Sequence, residues 1–344
     1  MPEPVPDFMI GARASWELDI WRKFRNAKKS AVLNYLASIE GRNFMQTNLI
    51  AEIANSYYEL LSYDNQLEIV KRNIAIQQNA LKIVKQQKQA AKVTELAVQK
   101  FQAEVLKNQS YQFYIQQYIV QTENKINYLM GRYPQKIERN TVSLIDLVPY
   151  AINFGSPSQL LEKRPDIKAA ELKLQASKLD VKVARARFYP SLGISAGLGV
   201  QAYDLKYIGK SPESLIYSLA GDLMAPLINR NAIKAAYKSA NSKQLQALYE
   251  YQQTVLSAFI EVSNQVSEMN NLQSSYELKE KEVASLTNSI KISNDLFKSA
   301  RADYMEVLLT QRDALEATLE LIETKMEQMH ARVNMYKALG GGWK

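Results

Sequence analysis

The sequence predicts a mainly α-helical protein with a small β part, built from long antiparallel coiled-coil helices and containing an internal structural repeat. Three observations carry this expectation. Residues 230–297 contain neither proline nor glycine, and Val255, Val262, Met269, Tyr276, Val283, Ile290 and Phe297 recur every seven residues with Phe259 and Val266 between them. That is the period of a left-handed coiled coil, and one helix of that length spans roughly 100 Å, more than a compact core accommodates. Three other segments alternate apolar and polar residues with a period of two. Finally, the two halves of the chain are copies of each other.

In chain order, Phe8, Ile10, Ala12, Ala14, Trp16, Leu18 and Ile20 fall on one face of an extended segment, opposite Met9, Gly11, Arg13, Ser15, Glu17 and Asp19. From Arg25 to about Lys88 the pattern becomes helical, with Ile53, Leu60, Leu67, Ile74 and Leu81 seven apart. A break at 90–94 leads into a second helix carrying Leu106, Phe113 and Val120, stopped by Gly131 and Pro134. Residues 135–156 read as an irregular connector. A helix is expected from Ser158 through Leu160, Ile167, Leu174 and Val181, interrupted at Arg164-Pro165-Asp166 and ended by Pro190. Residues 191–201 and 215–223 then alternate as two strands joined by a polar loop. Strands of about ten residues suit a tilted transmembrane β-strand, although a soluble sheet on a core shows the same alternation.

The copies align at an offset of 209: Met130-Gly131 with Leu339-Gly340, Glu52-Ile53-Ala54-Asn55 with Glu261-Val262-Ser263-Asn264, and Val98 with Val307. Arg25-Asn26-Ala27 matches Arg230-Asn231-Ala232 at 205, one helical turn out. The expected organisation is a first repeat at 1–134, a connector at 135–156 and a second repeat at 157–344. Each unit is a strand, a long helix, a tight break and a returning helix, and cannot bury its seam alone. The second repeat also has a helix and a strand with no counterpart in the first. On that count about 50 residues of barrel-forming chain, together with an export signal and room for a lipid-bearing cysteine, are expected upstream.

Composition excludes several classes of function. With no cysteine and one histidine, the chain has no disulfide, no Cys/His zinc site and no multi-imidazole catalytic machinery. His330, among Met326, Met329 and Val333, reads as a packing or surface residue. The net charge is +8, but the cations are interleaved with acids, as in Glu277, Lys279, Glu280, Lys281 and Glu282. That is a solvated coiled-coil flank and gives no reason to expect nucleic acid. No carboxylate pair, nucleophile and base, or phosphate loop stands out, so neither an enzyme nor a cofactor is expected. No stretch of 18 apolar residues is present.

Specific motifs add a resemblance. Ala14-Ser-Trp-Glu-Leu-Asp-Ile-Trp with Arg25-Asn-Ala, Leu161-Glu-Lys-Arg-Pro-Asp-Ile with Ala169-Ala-Glu, Ala186-Arg-Phe-Tyr-Pro-Ser-Leu and Ala338-Leu-Gly-Gly-Gly-Trp343 occur in the order seen in the outer-membrane factor family. The chain resembles these TolC-like channels along essentially its whole length, most of all the subgroup serving resistance–nodulation–division efflux pumps. The resemblance implies a homotrimer in the bacterial outer membrane, with a β-barrel in the lipid and an α-barrel crossing the periplasm. Each protomer of the family gives the barrel four strands. It also implies a periplasmic adaptor docked on the helical tips, here Ala91, Lys92, Val93 and Thr94 with Ala300, Arg301, Ala302 and Asp303, and an inner-membrane pump that supplies the energy. By position Glu306 matches a carboxylate ringing the periplasmic entrance, while Leu309 stands where some relatives carry a second. Relatives commonly have glycine at the tips, so Ala91 and Ala300 imply tighter or more helical turns. The rival reading is a non-channel coiled-coil scaffold, which has no reason to keep small, polar faces opposite apolar ones on its strands.

Overall fold

The computed structural model describes residues 5–139, 144, 145, 147, 163–225, 230–299 and 301–342. The element order is β1 (Phe8–Leu18), α1 (Lys23–Gln89), α2 (Glu95–Leu129), α3 (Pro165–Ala186), β2 (Ser191–Ala202), a short 3₁₀ turn (Leu205–Tyr207), β3 (Leu215–Met224), α4 (Arg230–Lys298) and α5 (Tyr304–Ala338). The long helices α1 and α4 have 67 and 69 residues, and the returning helices α2 and α5 have 35 each. The expected helix start at Ser158, most of the connector at 135–156, the tip residue Ala300 and the closing Trp343 lie outside the described residues. Two compact units are present, residues 1–41 with 166–255 and residues 42–165 with 256–344.

The first unit holds an antiparallel sheet in the order β1-β2-β3. Its register pairs Ile10 with Val200, Ala12 with Leu198 and Trp16 with Ile194, and then Leu198 with Tyr217, Ala196 with Leu219 and Leu192 with Leu223. Since side chains alternate faces, this register collects the apolar set of all three strands on one side and Arg13, Ser15, Glu17, Ser195, Ser218 and Asp222 on the other. A slip of one residue would invert every side chain. Tyr217, Leu219 and Leu223 on the apolar side are 82%, 80% and 72% exposed, so nothing in the unit covers that face.

Strand β1 ends two residues before the expected limit, and the reason is local. Asp19 turns its carboxylate onto the first helical amides, accepting from the Phe24 N–H at 3.0 Å and the Arg25 N–H at 2.9 Å, so α1 begins at Lys23. Close by, Trp21 stacks on Tyr189 with ring centroids 4.6 Å apart and donates its indole N–H to the Pro190 carbonyl at 2.8 Å. The end of α3 is thereby tied to the start of α1, which the Ser30 hydroxyl also joins to α3 through the Ala176 carbonyl.

In the second unit the seams are buried in three layers. Val84, Ala97, Val98 and Phe101 form one cluster, Val70, Ile74 and Ile115 the next, and Leu61, Leu144, Ile322 and Met329 the third. Leu144, from the connector, is fully buried. The connector is held a second time by Arg139, whose guanidinium reaches Asp64 at 2.8 Å and Glu123 at 2.5 Å.

Two expected stripes differ from the structure. On α2, Leu106, Phe113 and Val120 are exposed, and the packed series is Val98, Phe101, Val105, Asn108, Ile115, Thr122 and Ile126. Both series have a seven-residue spacing, and contact with α1 selects the second. On α4 Ala258, three residues after Val255, is buried while the expected Phe259 is 55% exposed; at the next interval Gln265 and the expected Val266 are both half-buried. A helix turns 300° in three residues and 400° in four, so at the first interval Ala258 faces inward and Phe259 faces water.

Candidate functional site

The features with a functional reading lie in the second unit, where α1 turns into α2 and α4 into α5. The first turn closes as a Schellman motif: the Lys92 N–H bonds the Gln87 carbonyl at 2.9 Å and the Ala91 N–H bonds the Lys88 carbonyl at 2.9 Å. The residue between must be left-handed, and Ala91 is, with φ 53°. The expectation of a tighter or more helical turn at alanine is therefore corrected: hydrogen bonding of the orphan carbonyls and packing below outweigh the cost of roughly 1–2 kcal/mol for an L-residue in that conformation. At the equivalent end of α2, Gly131 occupies the same position with φ 67°.

Helix α2 restarts at once, because Thr94 is extended and its hydroxyl accepts the Ala97 N–H at 3.4 Å. A Lys88–Glu95 ion pair clasps the two helix ends. Hydrogen bonds from Lys88 and Gln99 hold the Glu95 carboxyl below the usual range, outweighing its desolvation. The second turn repeats the longer bond, Arg301 N–H to Leu296 carbonyl at 2.9 Å, and α5 starts after an extended Asp303 whose side chain makes no cap.

Of the expected tip residues, Ala91, Lys92, Thr94, Arg301 and Asp303 are exposed, whereas Ala302 is half-buried. Val93 turns inward and packs on the cluster of Val84, Ala97, Val98 and Phe101. Tyr304 and Leu308 from the second repeat pack on that same cluster, so the two turns share one small core. The packing of these two residues and the Lys88–Glu95 clasp had no place in the sequence reading. The clasp was discoverable as opposite charges flanking a five-residue break. Glu306 is exposed on the first turn of α5, where a carboxylate faces the positive end of the helix dipole, and Val307 beside it is buried. Leu309 is 38% exposed.

Elsewhere in this unit His330 is half-buried, its Nε2 3.0 Å from the Asn55 carbonyl. Among the described residues no group of acids and histidine has metal-binding geometry, and no helix is long and apolar enough to cross a membrane. The latter says nothing of a β-barrel.

The sequence profile of the outer membrane efflux protein family matches residues 2–132 and 156–341. The chain belongs to that family. It is 30% identical over 337 residues to the pyoverdine export outer membrane protein OpmQ of Pseudomonas putida, covering 98% of this chain and 71% of that protein. To the cation efflux system protein CusC of Escherichia coli it is 25% identical over 338 residues, covering 98% and 73%. A crystal structure of CusC superposes with a TM-score of 0.92 at 25% identity, over 98% of this chain and 78% of that one. Family membership makes this an outer-membrane efflux channel protein, mainly helical and TolC-like in fold. Channels of this family are not enzymes, and as parts of efflux systems they work with other proteins.

Proposed function

We propose that the protein is the passive exit duct of a tripartite efflux pump of the resistance–nodulation–division type. In this reading it acts as a homotrimer whose strands close a barrel in outer-membrane lipid and whose helices form an α-barrel in the periplasm. The observation that carries the proposal is the register of the sheet. It collects exposed apolar side chains on one face of three strands of 10 to 12 residues, and glycine, serine and charged residues on the other. That is the pattern of a wall between lipid and water. An inner-membrane pump supplies the energy and a periplasmic adaptor docks at Ala91, Lys92, Thr94, Arg301, Ala302 and Asp303, with Val93 supporting them from below; Ala300 belongs to the same turn. Glu306, repeated three times, rings the entrance. The repeats at 1–134 and 157–344, joined at 135–156, supply alternating parts of the tube wall.

The test is reconstitution into planar bilayers. Stepwise conductance supports a channel, and a protein that extracts without detergent and conducts nothing is the coiled-coil scaffold instead. Docking is tested separately by single cysteines at the exposed tip positions, since this 344-residue sequence has none to interfere. Capture of the adaptor by tip cysteines, with none from positions midway along α2, is the expected outcome; no capture from any tip refutes docking there.

A further inference from the structure

Along β1 the exposed apolar face ends at Leu18, and the character of the chain then changes abruptly. Residues 19–29 carry five cations against Asp19 alone, a net charge of +4. At the opposite end of the sheet, Asp7 together with the loop 203–214 sums to −1. The basic end also holds the exposed aromatic pair Trp21 and Tyr189, of the kind that settles at a membrane–water boundary. Between the start of α1 and α3 lies an open cavity of about 550 Å³. Arg22, Arg25, Lys28 and Lys29 line it together with Val32, Leu33 and Leu179, and no acidic residue does. Arg25 is engaged with Asp19 at 3.1 Å. Among the described residues, Arg22, Lys28 and Lys29 have no ion-pair partner.

We propose that this groove is a binding site for the headgroup of an anionic glycerophospholipid in the leaflet that meets the basic end of the sheet. The proposal rests on the reading of the sheet as membrane-spanning. Arg22, Lys28 and Lys29 converge on the phosphodiester as charge-assisted donors. The acyl chains leave on the sheet side of the cations, along the apolar face of Trp16 and Leu18, while Val32, Leu33 and Leu179 close the groove at its far end. Free phosphate satisfies the cations but makes no use of the exposed Trp16 and the Trp21–Tyr189 pair beside them, which is why a lipid is the better match. Polybasic segments beside a membrane gain affinity for anionic leaflets with each cation, so the site anchors the protomer at a fixed depth.

The experiment uses the purified protein in nanodiscs of phosphatidylcholine with a minor fraction of phosphatidylglycerol. After gentle extraction, native mass spectrometry should find phosphatidylglycerol retained at least about tenfold above its share. The triple variant Arg22→Gln/Lys28→Gln/Lys29→Gln should fall to near parity, while Lys206→Gln/Lys210→Gln at the opposite end should retain the enrichment. Parity in the wild type, or equal enrichment in the triple variant, overturns the proposal. Displacement of the lipid by inorganic phosphate alone overturns it too, since the site would then be one for a free anion. Insertion into pure phosphatidylcholine nanodiscs is scored independently: a protein that fails to insert refutes the membrane-spanning reading itself, whereas one that inserts without enrichment refutes only the lipid site.

Discussion

Arg164 offers the sharpest test of how the second unit is held together. It stands just before α3 and is 6% exposed, and its Nη1 donates to Glu261 Oε2 at 2.7 Å and to the Ala338 carbonyl at 2.9 Å. One side chain thus ties the entry of α3 to the middle of α4 and to the last turn of α5, whose terminal carbonyls have no intrahelical donors. Arg164→Met keeps the reach of the side chain and removes both bonds. A hydrogen bond to a charged group contributes roughly 1.5–3 kcal/mol, and a buried carbonyl left without a donor costs roughly 1–3 kcal/mol. Stranding a buried partner charge costs about 3–5 kcal/mol, but the Glu261 side chain is 32% exposed and Lys337 stands 3.8 Å from its other oxygen. Water and Lys337 therefore rescue most of that charge, and the lower ends of these ranges apply, for a total of about 3 kcal/mol. Glu261→Gln should cost only about 1 kcal/mol, because the amide oxygen still accepts from Arg164. Guanidinium denaturation in detergent, followed by far-UV circular dichroism, measures both variants, the single variant Glu261→Met and the double variant Arg164→Met/Glu261→Met, which closes the cycle. A coupling energy of about 1–2 kcal/mol is expected. An Arg164→Met variant within about 1 kcal/mol of wild type, or costs that simply add, would show that packing and not this knot joins the three helices.

Three further predictions concern the turns and seams. Glu306→Gln should reduce the preference for cations in single-channel recordings if three carboxylates ring a constriction; unchanged selectivity removes the ring. Ala91→Gly should stabilise by about 0.5–1 kcal/mol, because relief of the left-handed alanine exceeds the added freedom of the unfolded chain, and a neutral or lower denaturation midpoint contradicts that. Asn108→Ala strands the Gln77 amide oxygen that it meets at 2.9 Å inside the α1–α2 seam and should cost about 1–3 kcal/mol. Gln77→Leu/Asn108→Leu should recover most of that loss; a double variant no better than the single one points to a packing defect instead.

How much of this was legible depends on the range of the signal. The strands and long helices were readable because periods of two and seven are local, and the termini of α1, α2 and α4 fall within a few residues of the expected ones. The chosen face of α2 was not, because Leu106, Phe113 and Val120 are as regular as the buried series and only the position of α1 separates them. Arg164 and Leu144 were equally silent, since a buried cation or a connector leucine gains its meaning from partners about 100 to 200 residues away. At the tips, the same charges that flank the break were visible, but the inward turn of Val93 was not, as one valine among polar residues carries no directional pattern. The left-handed Ala91 was foreseen as a problem and its solution was not, because hydrogen bonds to Gln87 and Lys88 depend on how the two helices are clamped below.

The sheet's polar face has one more property, set by what is absent from it. Gly11, Gly193, Gly197 and Gly199 follow each other there, and an added Cβ at Gly199 would lie 2.7 Å from the Ile10 carbonyl, so the backbones approach too closely for a larger residue. Where such a face borders an aqueous passage, a migrating molecule meets little relief to lodge against. Between the side chains of Arg13, Glu17 and Asp222 the face is shallow and hydrated. Such stretches offer no shape for a passenger to fit, so what resistance this face presents comes from width and from its few charges.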